Sequence, residues 1–575
     1  MSYEFNNKNM KKLFLTIIYK LKIKVVGLIF VGLFISVNSN AQLAEKSHFD
    51  IAKYLDIYNA LFKELNMFYV DSIDVKKTIQ DNITFMLRRL DPYTEYISEE
   101  EMSRFEVQTT GEYAGIGALI GSRKGKIIIE EPYEGMPAAL SGLQAGDVLL
   151  EIDGVNLDGK DTFYASSNLK GLPNTKVKVK FQRAGENKPR EIVIERKRLQ
   201  INPVKYYGIL PGNIGYIYLS DFTTHSASNI RVALDDLQKN NKIESLIIDV
   251  RNNPGGVVEN CLEILNFFLP KGELLLSMKG KFSQLDRTFR ATQNPIAPDI
   301  PLAVLVNRGS ASASEILAGT LQDLDRAVII GSRTFGKGLV QSSRQLPYDG
   351  RLQVTTAKYF IPSGRNIQAI DYSHRNDDGN ISYIPDSLTS LFQTSKGRPV
   401  RDGGGITPDF VTEEKKAPTI AYYLAMDNLF FDFATQWRIK NSKIAGPEQF
   451  VLSDSDYEEF KAFVRSKDFN YDRQSEKALE SLKEIMEFEG YLSSALEEFN
   501  ALEYKLKPDL NRDLELHKDF LSDILSKQIM QHYYYAKGEI IYTLREDNDL
   551  KKAVEILSDK NLYDNVLTGK SVVDK

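Results

Sequence analysis

From 214 to 331 five short apolar runs, at 214–219, 244–250, 272–278, 301–307 and 326–331, alternate with helical patterns at 226–239, 257–268 and 312–324. Strands and helices that alternate in this way bury both element types by laying the strands side by side with helices as crossovers, so the stretch predicts an α/β core. The fourth strand runs into Gly309-Ser310-Ala311-Ser312-Ala313-Ser314-Glu315, after which Ile316, Leu317 and Leu321 fall on one side of a helix. Ser312 therefore stands where a strand turns into a helix. There it lies among unpaired N–H groups at the positive end of the helix dipole, where an oxyanion is stabilised. Ser310, Ser312 and Ser314 suit helix capping equally well, and this stretch alone does not choose between cap and nucleophile.

Phe335-Gly336-Lys337-Gly338-Leu339-Val340-Gln341 follows the last apolar strand and places Lys337 25 residues after Ser312. A lysine in a glycine-flanked turn with apolar surroundings is pushed toward its neutral form by burial, and a neutral amine can take a serine proton. Gln341, at i+4, is an uncharged side chain able to orient that amine; by spacing alone it is as readily a surface glutamine. Two decoys fail on context. Gly331 to Lys337 has the G-x-x-x-x-G-K spacing, but Gly338 stands where a phosphate-binding loop needs Ser or Thr, and a strand rather than a helix follows. Ser167-Asn168-Leu169-Lys170 is an S-x-x-K run without the S-D-N and K-T-G partners of penicillin-binding chemistry. Of His48, His225, His374, His517 and His532, only His225 follows a core strand, and there it reads as a helix cap or a solvent-facing side chain.

At 575 residues and 42% apolar composition the chain supports about three or four domains. The net charge of -5 carries no basic footprint for nucleic acid. Lys8, Lys11, Lys12, Lys20, Lys22 and Lys24, then the apolar run 25–37, then Ser39-Asn40-Ala41 have the order of a secretory signal, with cleavage expected after Ala41. An uncleaved anchor is the alternative, with 13–19 lengthening the apolar segment. The single cysteine, Cys261, excludes an intrachain disulfide and reads as a buried core thiol.

Upstream of the core, Tyr54, Ile57, Leu61, Leu65 and Phe68 share a helical face and a second helical pattern covers 75–90, a helical arm whose apolar side needs the rest of the chain or a second subunit. From about 106 to 199 short strands surround one helix, with Val177, Val179 and Phe181 alternating against Ile192 and Ile194. The loop Gly115-Ile116-Gly117-Ala118 leads into a strand of this module. Its N–H groups suit capture of a peptide carboxylate while the peptide pairs with a strand edge, although ordinary glycine turns have the same composition. Arg251-Asn252-Asn253-Pro254-Gly255-Gly256 ends a core strand and is a candidate second oxyanion donor. A polar stretch near 371–396 reads as a surface insertion, and the last 160 or so residues as a helical tail with charged, solvated faces.

Together these motifs resemble the carboxyl-terminal processing peptidases, or tail-specific proteases, over roughly 87–409. The marks are Leu90-Asp91-Pro92-Tyr93-Thr94-Glu95-Tyr96, Gly115 to Ala118, Gly142-Leu143 with Gly146-Asp147, Asp249 to Gly256, Ser310 to Glu315, Phe335 to Gln341 and Tyr359 to Arg365. The resemblance implies Ser312 as nucleophile, Lys337 as general base and Gln341 as the lysine's orienting partner. It implies an oxyanion hole from the N–H of Ala313 and of Gly255 or Gly256, and carboxylate binding by Gly115, Ile116, Gly117 and Ala118. It also implies a PDZ domain over 106–199 and a crotonase/ClpP-like α/β peptidase core. With the patterns above, the expected fold is multidomain α+β, with signal peptide 1–41, helical N-terminal arm 42–105, PDZ domain 106–199, peptidase core 200–415 with the insertion near 371–396, and helical C-terminal domain 416–575. The insertion and the tail are less familiar from the family pattern. Tyr93-Thr94 departs from the His-Ser of many relatives. The expected function is an exported serine endopeptidase of the periplasm or cell envelope, which selects proteins by apolar C-terminal tails and cleaves through an acyl-enzyme. No metal, cofactor or nucleic acid is expected, and a homo-oligomer or adaptor is an open partner. A noncatalytic PDZ linker and a His225-dependent protease are the rival readings.

Overall fold

The computed structural model of the chain describes residues 49–570, apart from 241, 373–382, 413–415, 468, 472–473 and 507–508. The basic, apolar leader, its cleavage point at Ala41, His48 and His374 lie outside the described residues. Residues up to Arg89 form one unit and those from Leu90 another. The first unit is helical over 49–68 and Val75–Arg88, the second helix capped by Asp74, whose carboxylate accepts the Lys77 N–H at 3.0 Å. Tyr54, Ile57, Leu61, Leu65 and Phe68 are exposed.

In the second unit the alternation between 214 and 331 gives a six-stranded sheet. Its order is Val204–Leu210, Ile214–Leu219, Ser245–Asp249, Leu302–Val306, Val328–Gly331 and Phe410–Val411, parallel except for the opening hairpin. The central strand Leu302–Val306 is apolar at every position because both faces are covered. Leu302, Val304 and Val306 point to the side packed by helices Ser226–Lys239, Val258–Leu265 and Ala313–Asp323. Ala303 and Leu305 point to the other side, where the last two helices of the chain, Asn548–Ser558 and Lys560–Leu567, bring Leu550, Ala553, Ile556, Tyr563 and Val566.

The strand expected at 272–278 forms, as Leu274–Gly280, but belongs to a second, antiparallel sheet. The chain after it turns straight back as Arg287–Arg290 instead of entering a helix, so it has no crossover to return it parallel. Arg351–Phe360 is the spine of this sheet and pairs with Leu274–Gly280, Leu339–Gln345 and Glu95–Ile97. Glu95–Ile97 thus joins the catalytic side of the molecule, although it falls in the stretch read as the N-terminal arm.

The module at 106–199 has a sheet in the order Ala118–Arg123, Lys126–Pro132, Val148–Ile152, Lys176–Gln182 and Arg190–Glu195, with Ala118–Arg123 at an edge. Val177 pairs with Ile194 and Val179 with Ile192, so the alternating residues meet on one buried face. Glu112–Gly115 pairs with Lys197–Gln200 where the chain enters and leaves. The rest of the C-terminal region is a helical bundle with its own core, including Phe430, Phe433, Trp437, Phe460 and Leu525. It grips the 106–199 module through Arg123 to Asp432 at 2.9 Å and through Glu131, which accepts the Ala536 N–H at 3.0 Å. That second contact lies at the kink in helix Lys518–Leu544, where Tyr534 and Tyr535 leave helical geometry.

Candidate active site

The three serines of the strand-to-helix turn have different surroundings. Ser310 Oγ donates to the Val250 carbonyl at 2.8 Å, and Ser314 Oγ to the Asn253 carbonyl at 2.9 Å, which pins this turn to the Arg251–Gly256 turn. Ser312 lies between them, only 9% exposed, at the N-cap of helix Ala313–Asp323. Its backbone is at φ 53°, ψ −112°. For a residue with a Cβ this conformation costs on the order of 1–3 kcal/mol, a strain held in place by the surrounding bonds.

Glu315 and Tyr359 do most of that holding. The Glu315 carboxylate accepts four donors: the Ser312 N–H at 2.9 Å and the Lys337 N–H at 2.8 Å on one oxygen, the Thr334 hydroxyl at 2.6 Å and the Gly336 N–H at 2.7 Å on the other. On the opposite side the buried Tyr359 hydroxyl reaches the Ser312 carbonyl at 3.3 Å and also bonds the Lys337 carbonyl. Residues 25 apart in sequence are thus joined through two side chains, each touching both. Neither Glu315 nor Tyr359 is assigned a role by the sequence pattern. The S-x-x-E spacing of Ser312 and Glu315 is the available signal, since an acid three residues after an N-cap bonds the cap's N–H.

The Lys337 amine rests on the face of Tyr93, 4.2 Å from the ring centroid, rather than on the Ser312 hydroxyl. Burial pushes its pKa below the ordinary lysine value, while the nearby carboxylates Asp91, Glu315 and Glu95 pull in the opposite direction. Gln341 does not orient it directly: a bulge in the strand pairing lies between Val340 and Gln341, and the Gln341 amide donates to Thr355 Oγ1 at 3.1 Å. Thr355 N–H donates to Thr94 Oγ1 at 3.2 Å, and Thr94 in turn bonds Asp91. The Asp91-Pro92-Tyr93-Thr94 segment thereby meets both Gln341 and the lysine.

Gly255 packs directly on the serine. A Cβ there would lie 2.7 Å from the Ala311 carbonyl and 2.8 Å from Ser312 Cβ, with φ at +99°, so only glycine fits. The Gly255 N–H donates to Asn253 Oδ1 at 2.9 Å, whereas the Gly256 and Ala313 N–H groups have no acceptor among the described residues. Of the three expected oxyanion donors, Gly256 and Ala313 are therefore the available pair.

Gly115, Ile116, Gly117 and Ala118 lie together at the other module. Ile116 and Gly117 carbonyls accept from the Ala138 N–H at 2.7 Å and the Tyr133 N–H at 2.9 Å. Beside them a cavity of about 150 Å³ is lined by Tyr113, Ile116, Ile120, Tyr133, Leu169 and Lys170. It opens between the edge strand Ala118–Arg123 and helix Thr162–Leu169, the position a peptide strand would take.

The decoys separate cleanly. Gly331 ends a strand, and a loop then a strand follow it; Lys170 caps the helix of the 106–199 module. His225 opens helix Ser226–Lys239 and pairs with Glu112 at 2.8 Å. Cys261 is fully buried, its thiol donating to the Ala313 carbonyl at 3.2 Å, with burial pushing its pKa up. Among the described residues no group of three or more His, Cys, Asp or Glu side chains is arranged to hold a metal ion.

Comparison with known proteins covers all three regions. Residues 213–373 match the profile of peptidase family S41, residues 128–183 that of a PDZ domain, and residues 420–557 one described as a probable PDZ-protease C-terminal helical domain. A carboxy-terminal-processing protease of Bartonella bacilliformis is 36% identical over 321 residues, which is 55% of this chain and 73% of that protein. A probable CtpA-like serine protease of Staphylococcus aureus (strain MSSA476) is 31% identical over 354 residues, 61% of this chain and 68% of the relative. The solved structure of a photosystem II D1 C-terminal processing protease aligns with 64% of this chain and 89% of its own at 27% identity, with a TM-score of 0.33.

Proposed function

Because the chain belongs to peptidase family S41, among the carboxy-terminal-processing proteases, we propose that Ser312 is its nucleophile and Lys337 its general base. One observation carries this reading: Glu315 Oε2 accepts the N–H of Ser312 at 2.9 Å and of Lys337 at 2.8 Å, which holds the two residues at one site. The lysine's flexible four-carbon stem lets the amine swing from Tyr93 to the serine hydroxyl. In the neutral form it takes the hydroxyl proton as Oγ attacks a peptide carbonyl. The oxyanion that develops meets the N–H of Gly256 and of Ala313, preorganised by the turn and the helix start. Collapse breaks the peptide bond, the leaving amine takes the proton from the lysine, and the acyl-enzyme is hydrolysed by water activated in the same way. Gln341 acts on this machinery through Thr355 and Thr94.

The PDZ domain takes the substrate's C-terminal tail. Its edge strand Ala118–Arg123 pairs with the peptide, the Gly115 to Ala118 loop receives the carboxylate, and the adjoining apolar cavity takes the last side chain. The basic leader and small residues at Ser39 and Ala41 support export to the periplasm or cell envelope. Purified protein should cleave an unfolded substrate with an apolar C-terminal tail, and both Ser312→Ala and Lys337→Arg should be inert, the latter because guanidinium stays charged. Equal cleavage by Ser312→Ala would overturn the acyl-enzyme, and survival of Lys337→Arg would overturn the lysine base.

A further inference from the structure

The turn that carries the oxyanion donor Gly256 is fixed at two ends. At Asn253 it is tied to the nucleophile turn, with the Asn253 carbonyl accepting both the Ala311 N–H at 3.0 Å and the Ser314 hydroxyl at 2.9 Å. At Arg251 it is tied to the C-terminal region. The Arg251 guanidinium lies on Asp249 of the preceding strand at 2.6 Å, and its outer nitrogens fork onto Asp547 at 2.6 and 3.0 Å and reach Asp549 at 2.8 Å. Asp249 is further fixed by the buried Tyr216 hydroxyl at 2.7 Å, and Asp549 accepts the Thr412 hydroxyl. Between Arg251 and Asn253, Asn252 sits at a positive φ of 58° and is itself held by Asn307, whose Oδ1 accepts the Asn252 N–H at 2.9 Å.

We propose that Asp547 and Asp549, at the start of helix Asn548–Ser558, are positioning residues for catalysis, which act through Arg251 to hold the oxyanion turn in register with Ser312. This rests on the reading of Gly256 as an oxyanion donor. It makes the C-terminal helical region part of the catalytic apparatus rather than an appendage. A planar guanidinium gripped by a forked carboxylate has its orientation fixed as well as its position, which a single point charge would not achieve. The aspartates therefore alter the placement of the donor without touching substrate.

The test is the Asp547→Asn/Asp549→Asn double variant of the full chain. Asparagine keeps the cap that Asp547 gives the Leu550 N–H at 3.0 Å, so the helix start survives while the charged grip on Arg251 is lost. Asp559→Asn, which touches the next helix's N–H groups and not Arg251, is the control. We expect kcat on a tailed peptide to fall about tenfold, below the loss for removing a donor outright. Affinity for a peptide aldehyde should fall by the same factor, since its hemiacetal oxygen occupies the oxyanion position. KM and binding of a tail peptide to the PDZ domain should stay unchanged, while the thermal midpoint should fall, because the part-buried Arg251 keeps only Asp249 of its three carboxylates. Arg251→Lys, which keeps the charge but cannot fork, should give the same split and serves if the double variant fails to fold. Unaltered kcat and aldehyde affinity, or a fall in kcat with KM and tail-peptide binding altered alongside it, would overturn the proposal. Should Ser312→Ala cleave as well as wild type, the acyl-enzyme falls and this inference with it; an inert Ser312→Ala beside a fully active double variant sinks the inference alone.

Discussion

Glu315 sets the conditions under which the site is assembled. It is fully buried, and burial pushes its carboxyl up to about 7 against the four hydrogen bonds that favour the charged form. All four donors are satisfied only by the carboxylate, because a protonated oxygen would turn a hydroxyl toward an N–H. As pH rises through about 7, Glu315 loses its proton and the donor cluster closes, and Lys337, depressed by burial, loses its proton in the same upward direction. Two deprotonations are then required together, so log kcat/KM against pH should climb on the acid side with a slope approaching two. Glu315→Gln, which cannot titrate, should bring that slope to one and reduce activity at every pH, since its NH2 faces donors that lose their acceptor. A wild-type slope of one, unchanged in the variant, would show that Glu315 does not titrate in the working range. The serine and lysine were legible because each stands in a distinctive local pattern. Tyr93 and Tyr359 were not, since an aromatic residue in a strand or turn reads as core, and only the fold reveals that one cushions an amine and the other bridges two carbonyls.

The nucleophile helix Ala313–Asp323 is buried along its whole length, so its placement depends on what meets both ends. The N-terminus has Glu315. At the C-terminus Asp323 accepts two bonds from the fully buried Arg365 guanidinium, at 2.8 and 3.1 Å, and the Ser363 N–H at 2.9 Å, while Arg398 reaches Asp325 at 2.6 Å and the Gln322 carbonyl at 3.0 Å. Removing one member of a buried pair leaves the other charge without solvent or partner. Asp323→Ala should therefore cost about 3–5 kcal/mol in denaturant unfolding. Asp323→Ala with Arg365→Met should recover much of that loss, because the buried charge goes with its partner. A double variant as unstable as the single would mean that the carboxylate's backbone bonds, not the ion pair, dominate. The helix itself was readable from the spacing of Ile316, Leu317 and Leu321. Its anchors were not, since Arg365 is 42 residues from Asp323 and no periodicity links them.

In the whole molecule the last two helices, which fall within the helical region from 416 onward, pack on the catalytic sheet. They have the same charged, amphipathic pattern as those before them, and such a pattern says that a helix has a partner without saying whether it is another helix or a sheet. Ile556 and Ala553 pack on Ala303, Leu305 and Val328 and complete the second face of the catalytic sheet, whereas Phe460 lies in the separate core of the bundle. The single tryptophan, Trp437, packs on Phe450 and Tyr533 in that bundle, so its fluorescence reports the bundle while peptidase activity reports the sheet. Ile556→Ala should cost about 2–5 kcal/mol by removing core contacts from the sheet, and Phe460→Ala about 3–5 kcal/mol from the bundle. On heating, the first should bring the loss of activity to lower temperature with a smaller displacement of the fluorescence transition, and the second should do the reverse. Equal displacement of both signals by either variant would mean that sheet and bundle form one cooperative unit, in which case the chain unfolds as a whole despite its several cores.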